Sequence, residues 1–400
     1  MTTFETMPPA VRARRAWTAL ILGVLAQTAG TVFVSTPAFL VPLLHTERGL
    51  SLAQAGLLAA APTMGMVLTL VLWGALVDRV GEKWVIAGGL VLTALAGVGA
   101  LLSPGYVQLG VFLLLGGAAS ASTNSASGKV VVGWFAKDRR GLAMGIRQMC
   151  QPLGVTVAAL TVPAIASSAG IGKAFVLPIV ATALLAVLTA VLMMNPPRTP
   201  RAEVAQAANP YLASGFLWRI HTLSLLLAVP QFTLSIFGLV WLVTQLHWST
   251  LAAGVLIGCA QFVGAIGRVG VGVLSDRVGS RVRPLRWVAL SAVVVMLVLG
   301  ATAALQWQAG AIVLLIAMTV TVADNGLAFT SVAEMSGPAW AGRALGIQNT
   351  GQFVAASAVG PLVGALIGLV GYPLAFVAVA AFPAVATVLV PRHSAEVDRL

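Results

Sequence analysis

Residues 74–81 read Gly-Ala-Leu-Val-Asp-Arg-Val-Gly, and residues 272–279 read Gly-Val-Leu-Ser-Asp-Arg-Val-Gly. The two stretches are 198 positions apart, and a long apolar run precedes each of them. Two further stretches, 145–151 and 346–352, match at an offset of 201. Similarity at a nearly fixed offset is typical of an internally repeated chain. The sequence therefore predicts two similar halves that carry the same loop.

Charged residues are scarce in this chain. Of its 400 residues only 8% are Asp, Glu, Lys or Arg, whereas 59% are hydrophobic and the mean hydropathy is +0.97. An ordinary soluble domain carries about a quarter charged residues. So little polar surface excludes a soluble enzyme, a nucleic-acid-binding protein and a disordered scaffold, even though the net charge is +12.

The apolar residues fall into long runs separated by charges or by clusters of glycine and proline. A bilayer core of about 30 Å requires roughly 20 apolar residues in one helix, and twelve runs are long enough. The predicted spans, numbered 1 to 12 along the chain, are 17–44, 52–77, 84–103, 107–134, 142–167, 174–195, 214–245, 251–275, 286–305, 309–334, 343–368 and 372–391.

The positions of lysine and arginine orient these spans. Eighteen of the 23 basic residues fall in the loops of one side, at the span ends next to these loops or in the terminal segments, whereas only Arg48 and Lys173 fall in the loops of the other side. Cytoplasmic loops of membrane proteins are rich in Lys and Arg. Both termini are therefore predicted to be cytoplasmic, in the plasma membrane, which we expect to be a bacterial inner membrane.

Twelve spans divide into two sets of six at a polar segment that contains proline. We expect an N-terminal bundle over residues 1–195, a cytoplasmic linker over 196–213 and a C-terminal bundle over 214–400. Both halves start on the same side of the membrane, so they are parallel repeats about an axis along the membrane normal. The predicted fold is an all-α membrane protein with 12 transmembrane helices in two six-helix pseudo-symmetric bundles.

The pattern Gly-x-x-x-Asp-Arg-x-Gly, found between spans 2 and 3 and again between spans 8 and 9, resembles the signature loop of the major facilitator superfamily. The resemblance extends over nearly the whole chain through the span count and the two halves. It implies a central cavity, substrate bound near the midplane, and alternating access by rocking. Gly267-Arg268 in span 8 also resembles the oxalate and monocarboxylate branch, in which that arginine pairs with a substrate carboxylate.

The repeated loop is predicted to be a cytoplasmic gate. Its glycines permit close helix approach and a tight turn, and its aspartate can accept hydrogen bonds at a neighbouring helix end or pair with an arginine. The alternative is a topological role, in which the basic residues of the loop only hold it on the cytoplasmic side of the membrane. The predicted gate residues are Gly74, Asp78, Arg79, Gly81, Gly272, Asp276, Arg277 and Gly279.

Four ionisable residues are assigned to the interior of the spans rather than to their cytoplasmic ends, and a charge there is costly and therefore marks a candidate functional position. Arg147 and Arg268 are the predicted substrate-binding arginines, although Arg147 is also near enough to reach the cytoplasmic interface. Asp324 is the one acid well inside a span and the predicted proton carrier; its alternative role is a static partner for an arginine. Lys129 either reaches the interface or follows the polar stripe of span 4.

Polar amides occur at corresponding places in the two halves, on spans 1 and 7, 4 and 10, and 5 and 11. Each amide alone is typical of an interhelical hydrogen bond, but the set as a whole predicts the lining of a polar cavity. The additional substrate-binding candidates are Gln27, Asn124, Gln151, Gln231, Asn325, Gln348 and Gln352.

Three cations and one acid within the spans leave an excess of positive charge, which favours an anion. We therefore expect a secondary transporter of a small organic anion, in the first place a carboxylate, that works by proton symport or by exchange. The alternative is an efflux antiporter for lipophilic or cationic drugs, which the Gly360-Pro361 pair in span 11 leaves open.

Other classes of function lack their sequence features. The chain shows no nucleophile–base pair, no metal cluster and no phosphate-binding loop, so we expect neither an enzyme nor a cofactor or metal. A receptor or scaffold would need a large soluble region, whereas the longest connection is the linker. The expected partners are the substrate, protons or a counter-anion, and the lipid bilayer, but no nucleic acid; we expect a monomer.

Overall fold

The structure is a computed structural model that describes residues 8–50, 52–196, 208–213 and 215–392. Most of the predicted linker lies outside these ranges, as do Arg198, Arg201 and Arg399, three of the basic residues used to orient the spans. The secondary structure of the described residues is almost entirely helical and contains no strand. Eleven helical runs among them are long and apolar enough to cross a membrane.

Every predicted span corresponds to one or two of these helices. Span 1 begins about two turns before its predicted start, because the basic segment that precedes the apolar run is also helical. The uninterrupted spans are Pro9–Arg48, Leu52–Val80, Glu82–Leu102, Tyr106–Trp134, Val176–Leu192, Phe216–Thr244, Thr250–Val278 and Val282–Ala304, which are spans 1 to 4 and 6 to 9. The short elements are the 3-10 helices Lys137–Arg139 and Ile171–Phe175 and the helix Pro210–Ala213.

No loop separates spans 11 and 12, so the twelve predicted spans give eleven helical runs. Spans 11 and 12 form Ala341–Val379, followed by Ala381–Leu389. Gly371 interrupts the first of these with φ 76° and ψ 170°, a backbone conformation that favours glycine. Pro373 lies two residues after Gly371, where its missing N–H costs little at a helix start. The predicted connection between the two spans is thus a kink at a single glycine.

Spans 5 and 10 are each broken into two helices. Span 5 consists of Arg140–Arg147 and Cys150–Ala169, because Pro152 has no N–H to offer the carbonyl of residue 148. Span 10 consists of Gly310–Val320 and Asp324–Met335. No proline lies in that second break, but the Asn325 amide donates to the Val322 carbonyl at 3.3 Å, and such side-chain bonds compete with helical ones.

The chain forms two compact units. Unit 1 comprises residues 1–135, 149–207 and 337–350, and unit 2 comprises residues 136–148, 208–336 and 351–400. The first part of span 5 therefore packs within unit 2, and the first part of span 11 packs within unit 1. Each of these segments lies far along the chain from the residues that surround it.

Each unit has its own apolar core. In unit 1 the rings of Phe33 and Phe175 are 6.2 Å apart, and in unit 2 Trp241 and Phe376 meet edge to face at 5.8 Å. Large apolar side chains also cover the outer surface: Leu160 is 74% exposed and Leu369 is 83% exposed. A water-soluble monomer does not expose so much apolar surface. This surface and the long apolar helices identify an integral membrane protein.

Candidate functional site

Asp276, in the second copy of the repeated loop, binds the start of span 5 within unit 2. One carboxylate oxygen accepts the Gly141 N–H at 2.9 Å and the other accepts the Leu142 N–H at 2.9 Å. Arg281 donates to the same carboxylate at 2.5 Å. The first N–H groups of a helix have no partner within the helix, so Asp276 caps span 5 and remains paired with a cation.

Asp78, in the first copy of the loop, makes the corresponding contacts within unit 1. It accepts the N–H groups of Gly342 and Arg343, at 2.9 and 3.1 Å, where span 11 begins. The Arg343 guanidinium donates to it at 3.1 Å and the Lys129 ammonium at 2.9 Å. Lys129 is therefore a counter-ion of Asp78, a role that goes beyond reaching the interface or extending the polar stripe of span 4.

The paired glycines of the loop and of spans 5 and 11 allow the backbones to approach. A Cβ on Gly74 would overlap the Gly342 carbonyl, and one on Gly272 would overlap the Gly141 carbonyl. Gly81 and Gly279 have φ values of 99° and 65°, so both copies of the loop turn through a conformation that side chains disfavour. The repeat in sequence thus reflects a repeat in backbone packing.

A second carboxylate strengthens the cluster around Asp276. Glu334, at the end of span 10, accepts from Arg281 at 3.3 Å and pairs with Arg140 at 3.4 Å. Burial lowers the pKa of Arg281, but Glu334 and Asp276 raise it by more, so the net shift is upward and the guanidinium stays charged. Arg281 also donates to the Lys137 carbonyl at 2.6 Å.

The arginines that follow the aspartates in the loop motif are placed differently. Arg79 and Arg277 are both exposed, and neither forms an ion pair with another residue in the described ranges. The cations that contact the aspartates come instead from other elements. Nothing in the amino-acid sequence assigns Lys129, Arg281 or Arg343 to these contacts, because their spacing from the aspartates follows no pattern.

Replacing Asp276 by alanine should lower the melting temperature of the detergent-solubilised protein by about 5 °C. The change removes two charge-assisted hydrogen bonds and leaves Arg281 with one carboxylate, at a cost of about 2–4 kcal/mol. Arg277→Ala is the matched control, because it removes the adjacent, exposed charge. Equal melting temperatures for the two variants would contradict the capping role.

Two buried arginines meet at Gln148 in unit 2. Arg147 is 1% exposed; it donates to the Gln148 side-chain oxygen at 2.6 Å and lies over the Phe329 ring at 5.0 Å. Arg268 is 7% exposed and donates to the Gln148 backbone carbonyl at 2.8 Å. This is the carbonyl that Pro152 leaves without a helical donor. Gln148 therefore links the two guanidinium groups through its side chain and its backbone carbonyl. In the sequence, Pro152 was the feature that could have indicated a free carbonyl at Gln148.

Asp324 belongs to the same unit and starts the second helix of span 10. It is 2% exposed, and its Oδ2 accepts no hydrogen bond from the described part of the chain. Arg268 is the cation whose charge acts on it. None of the ion pairs within the described ranges includes Asp324. Among the described residues, the alternative role of Asp324 as a static partner of an arginine is therefore not supported by an ion pair.

Predicted amides connect spans 7, 10 and 11 next to Asp324. Asn325 donates to the Gln231 oxygen at 3.0 Å. Gln352 donates to the Asn325 oxygen at 2.7 Å and to the Ser224 hydroxyl at 2.9 Å. Three of the predicted residues thus form one network in unit 2.

Unit 1 contains a corresponding amide pair between spans 1 and 4. Gln27 donates to the Asn124 oxygen at 2.7 Å and accepts from the Ser127 hydroxyl at 2.8 Å. Gln151, which is exposed, and Gln348, which is 2% exposed, also belong to unit 1. Neither of these two glutamines takes part in the amide networks given above.

Sequence comparison places the chain among membrane transporters. The sequence model of the Major Facilitator Superfamily matches residues 19–361. An uncharacterized MFS-type transporter of Mycobacterium tuberculosis is 42% identical over 386 residues, which are 96% of this chain and 86% of that protein. A probable chloroplastic anion transporter 3 of Oryza sativa subsp. japonica is 30% identical over 172 residues, 42% of this chain and 32% of that protein.

Solved transporters share the fold. The human organic anion transporter TETRAN has a TM-score of 0.73 at 17% identity and covers 96% of this chain and 100% of its own. The proton:xylose symporter XylE has a TM-score of 0.72 at 16% identity, with 94% and 95% covered. The predicted fold of two six-helix bundles is confirmed. The chain therefore belongs to the major facilitator superfamily and is a secondary transporter of a small molecule rather than an enzyme.

Proposed function

We propose that this protein transports a small organic anion, a carboxylate, and that Arg147 and Arg268 bind it. The observation that carries the proposal is the pair of buried guanidinium groups joined through Gln148. Two like charges are costly in a bilayer unless an anion or a paired carboxylate offsets them. An anionic substrate offsets part of this positive charge, and its carboxylate accepts two parallel N–H bonds from one arginine.

The interruptions of spans 5 and 10 support the same location. Broken helices in membrane transporters mark binding sites, because their freed backbone groups are tolerated only beside protein or a water-filled cavity. The break in span 5 contains Gln148, and the second helix of span 10 starts at Asp324. Arg147, Arg268 and Asp324 all belong to unit 2. Arg147 and Asp324 lie next to the helix breaks, and Arg268 contacts the break in span 5 through the Gln148 carbonyl.

The amides contribute hydrogen bonds in this scheme. Gln231, Asn325 and Gln352 form the network beside Asp324, and Gln27 and Asn124 form the equivalent pair of unit 1. Amide groups both donate and accept, so they can bind the neutral part of an organic acid. The name of the rice relative, a probable anion transporter, agrees with an anionic substrate, although the similarity covers 42% of this chain.

Asp324 is the proton site in this proposal. A buried carboxylate without an ion pair among the described residues can take up a proton without breaking one, and carboxylates of this kind act as relays in transporters. Symport then carries the proton on Asp324 and the carboxylate on the arginines. Exchange of one anion for another does not require Asp324 to change its charge.

Asp78 and Asp276 form gates on the cytoplasmic side, with both termini on that side. Each gate consists of an aspartate that caps the start of span 11 or span 5 and a cation that neutralises it. Alternating access requires these caps to break and form again in each cycle. Because the charges of Asp78 and Asp276 are partly buried and paired, replacing either aspartate should lower both stability and transport.

Uptake into proteoliposomes tests the substrate class. Radiolabelled short mono- and dicarboxylates should accumulate when the pH gradient is inside-alkaline and should exchange when it is absent, in both cases beyond the passive uptake of the neutral acid that protein-free liposomes show. A lipophilic cationic dye is the competing probe, because the buried Asp324 carboxylate would also attract a cation. Transport of the dye by the protein, together with no carboxylate uptake under either condition, would establish drug efflux as the function instead.

A further inference from the structure

A basic cavity lies where span 9 begins and span 12 ends, away from the buried arginines. Its volume is about 390 Å³, and its lining is Val282, Arg283, Arg286, Trp287 and Pro391. The lining residues include two arginines and no acid. Because the cavity lies at one end of two membrane-spanning helices, it is at the level of the lipid headgroups.

The two arginines of the cavity have different contacts. Arg286 donates to the Val390 carbonyl at 3.3 Å, close to the end of span 12, which gives that arginine a structural role as well. The Arg283 side chain makes no hydrogen bond or ion pair with any residue in the described ranges. A charge that only sets topology would not need a cavity, whereas Arg283 lines one.

An apolar stripe continues from this cavity along span 9. Trp287, Leu290, Val294 and Leu297 follow Arg283 at helical spacing, so they share one face of the helix. Their exposed fractions are 48%, 48%, 58% and 43%, respectively. Trp287 stands between the charged and apolar parts, as tryptophan does at membrane interfaces. The surface therefore pairs a binding place for an anionic group with a path for a hydrocarbon chain.

We propose that this surface binds an anionic phospholipid, with the headgroup phosphate at Arg283 and Arg286 and an acyl chain along the stripe from Trp287 to Leu297. Phosphate matches the planar donor fork of arginine. A soluble phosphate would leave the apolar stripe without a function, whereas a phospholipid uses both parts. Basic pockets at the cytoplasmic ends of transmembrane helices are suited to such headgroups. The proposal does not depend on the identity of the transported substrate.

Native mass spectrometry of the purified full-length protein tests this site directly. After delipidation in detergent, the protein is titrated with phosphatidylglycerol and, separately, with phosphatidylcholine. We expect wild-type protein to retain phosphatidylglycerol preferentially. Arg283→Gln with Arg286→Gln should weaken that retention more than about tenfold, because each interfacial arginine contributes about fivefold.

A matched pair of variants controls for the lost charge. Arg14→Gln with Arg139→Gln removes two exposed basic residues from outside the cavity and should leave lipid retention unchanged. Arg283→Gln alone keeps the Arg286 contact with span 12 and should weaken binding about fivefold, which preserves the test if the double variant does not fold. Unchanged phosphatidylglycerol retention in the Arg283 variants, or its displacement by soluble glycerol phosphate, would overturn the proposal.

Discussion

Arg268→Gln is expected to reduce carboxylate counterflow more than about 30-fold, because removing one partner of a buried charge pair costs about 2–5 kcal/mol. Glutamine retains a donor for the Gln148 carbonyl, which Arg268 now binds at 2.8 Å. The local helix break is therefore preserved while the positive charge and the donor fork are lost. Counterflow of a labelled carboxylate in proteoliposomes measures the effect without any contribution from a pH gradient.

Arg268→Lys separates charge from geometry in the same assay. Lysine keeps the positive charge but cannot form two parallel bonds to a carboxylate. We expect it to retain part of the counterflow, with most of the loss appearing as a raised KM. Arg147→Gln should resemble Arg268→Gln, since both guanidinium groups converge on Gln148. Normal counterflow in both glutamine variants, with unchanged melting temperatures, would exclude these arginines as the substrate site.

The fold was predictable because hydrophobic length and loop charge report directly on the bilayer. The exception is the junction of spans 11 and 12, where hydropathy indicates a connection and Gly371 makes only a kink. The break in span 10 was also missed, because Asn325 rather than a proline accompanies it. Side-chain competition of that kind depends on the local conformation, which the order of residues does not reveal.

The two copies of the repeated loop show what a single sequence does and does not reveal about a site. Repetition of the loop identified both aspartates, and elementary chemistry indicated that they could cap a neighbouring helix. It did not indicate that Lys129 pairs with Asp78 or that Arg281 bridges Asp276 and Glu334. Those cations lie at unrelated positions in the two halves. The backbone geometry is repeated, but the counter-ions are not.

Asp324→Asn should abolish accumulation driven by a pH gradient and leave carboxylate exchange within about threefold of wild type. Asparagine has nearly the same size and keeps an oxygen acceptor, but it cannot bind and release a proton. Because Asp324 has no ion pair among the described residues, the substitution breaks none there and should disturb the two arginines little. The measurement compares uptake with and without an inside-alkaline gradient in the same vesicles.

Glu334→Gln is the matched control, because it neutralises the other acid of span 10. Glu334 is paired with Arg281 and Arg140, so its loss weakens the cluster around Asp276 and should lower accumulation and exchange together. If Asp324 is the proton site, Asp324→Asn should lose accumulation but keep exchange, whereas Glu334→Gln should lower both. If Asp324→Asn lost both activities equally, Asp324 would be a structural or substrate-binding residue, and coupling would need another carrier. If it lost neither, Asp324 would not be the proton site, because accumulation on the pH gradient would continue without its carboxylate.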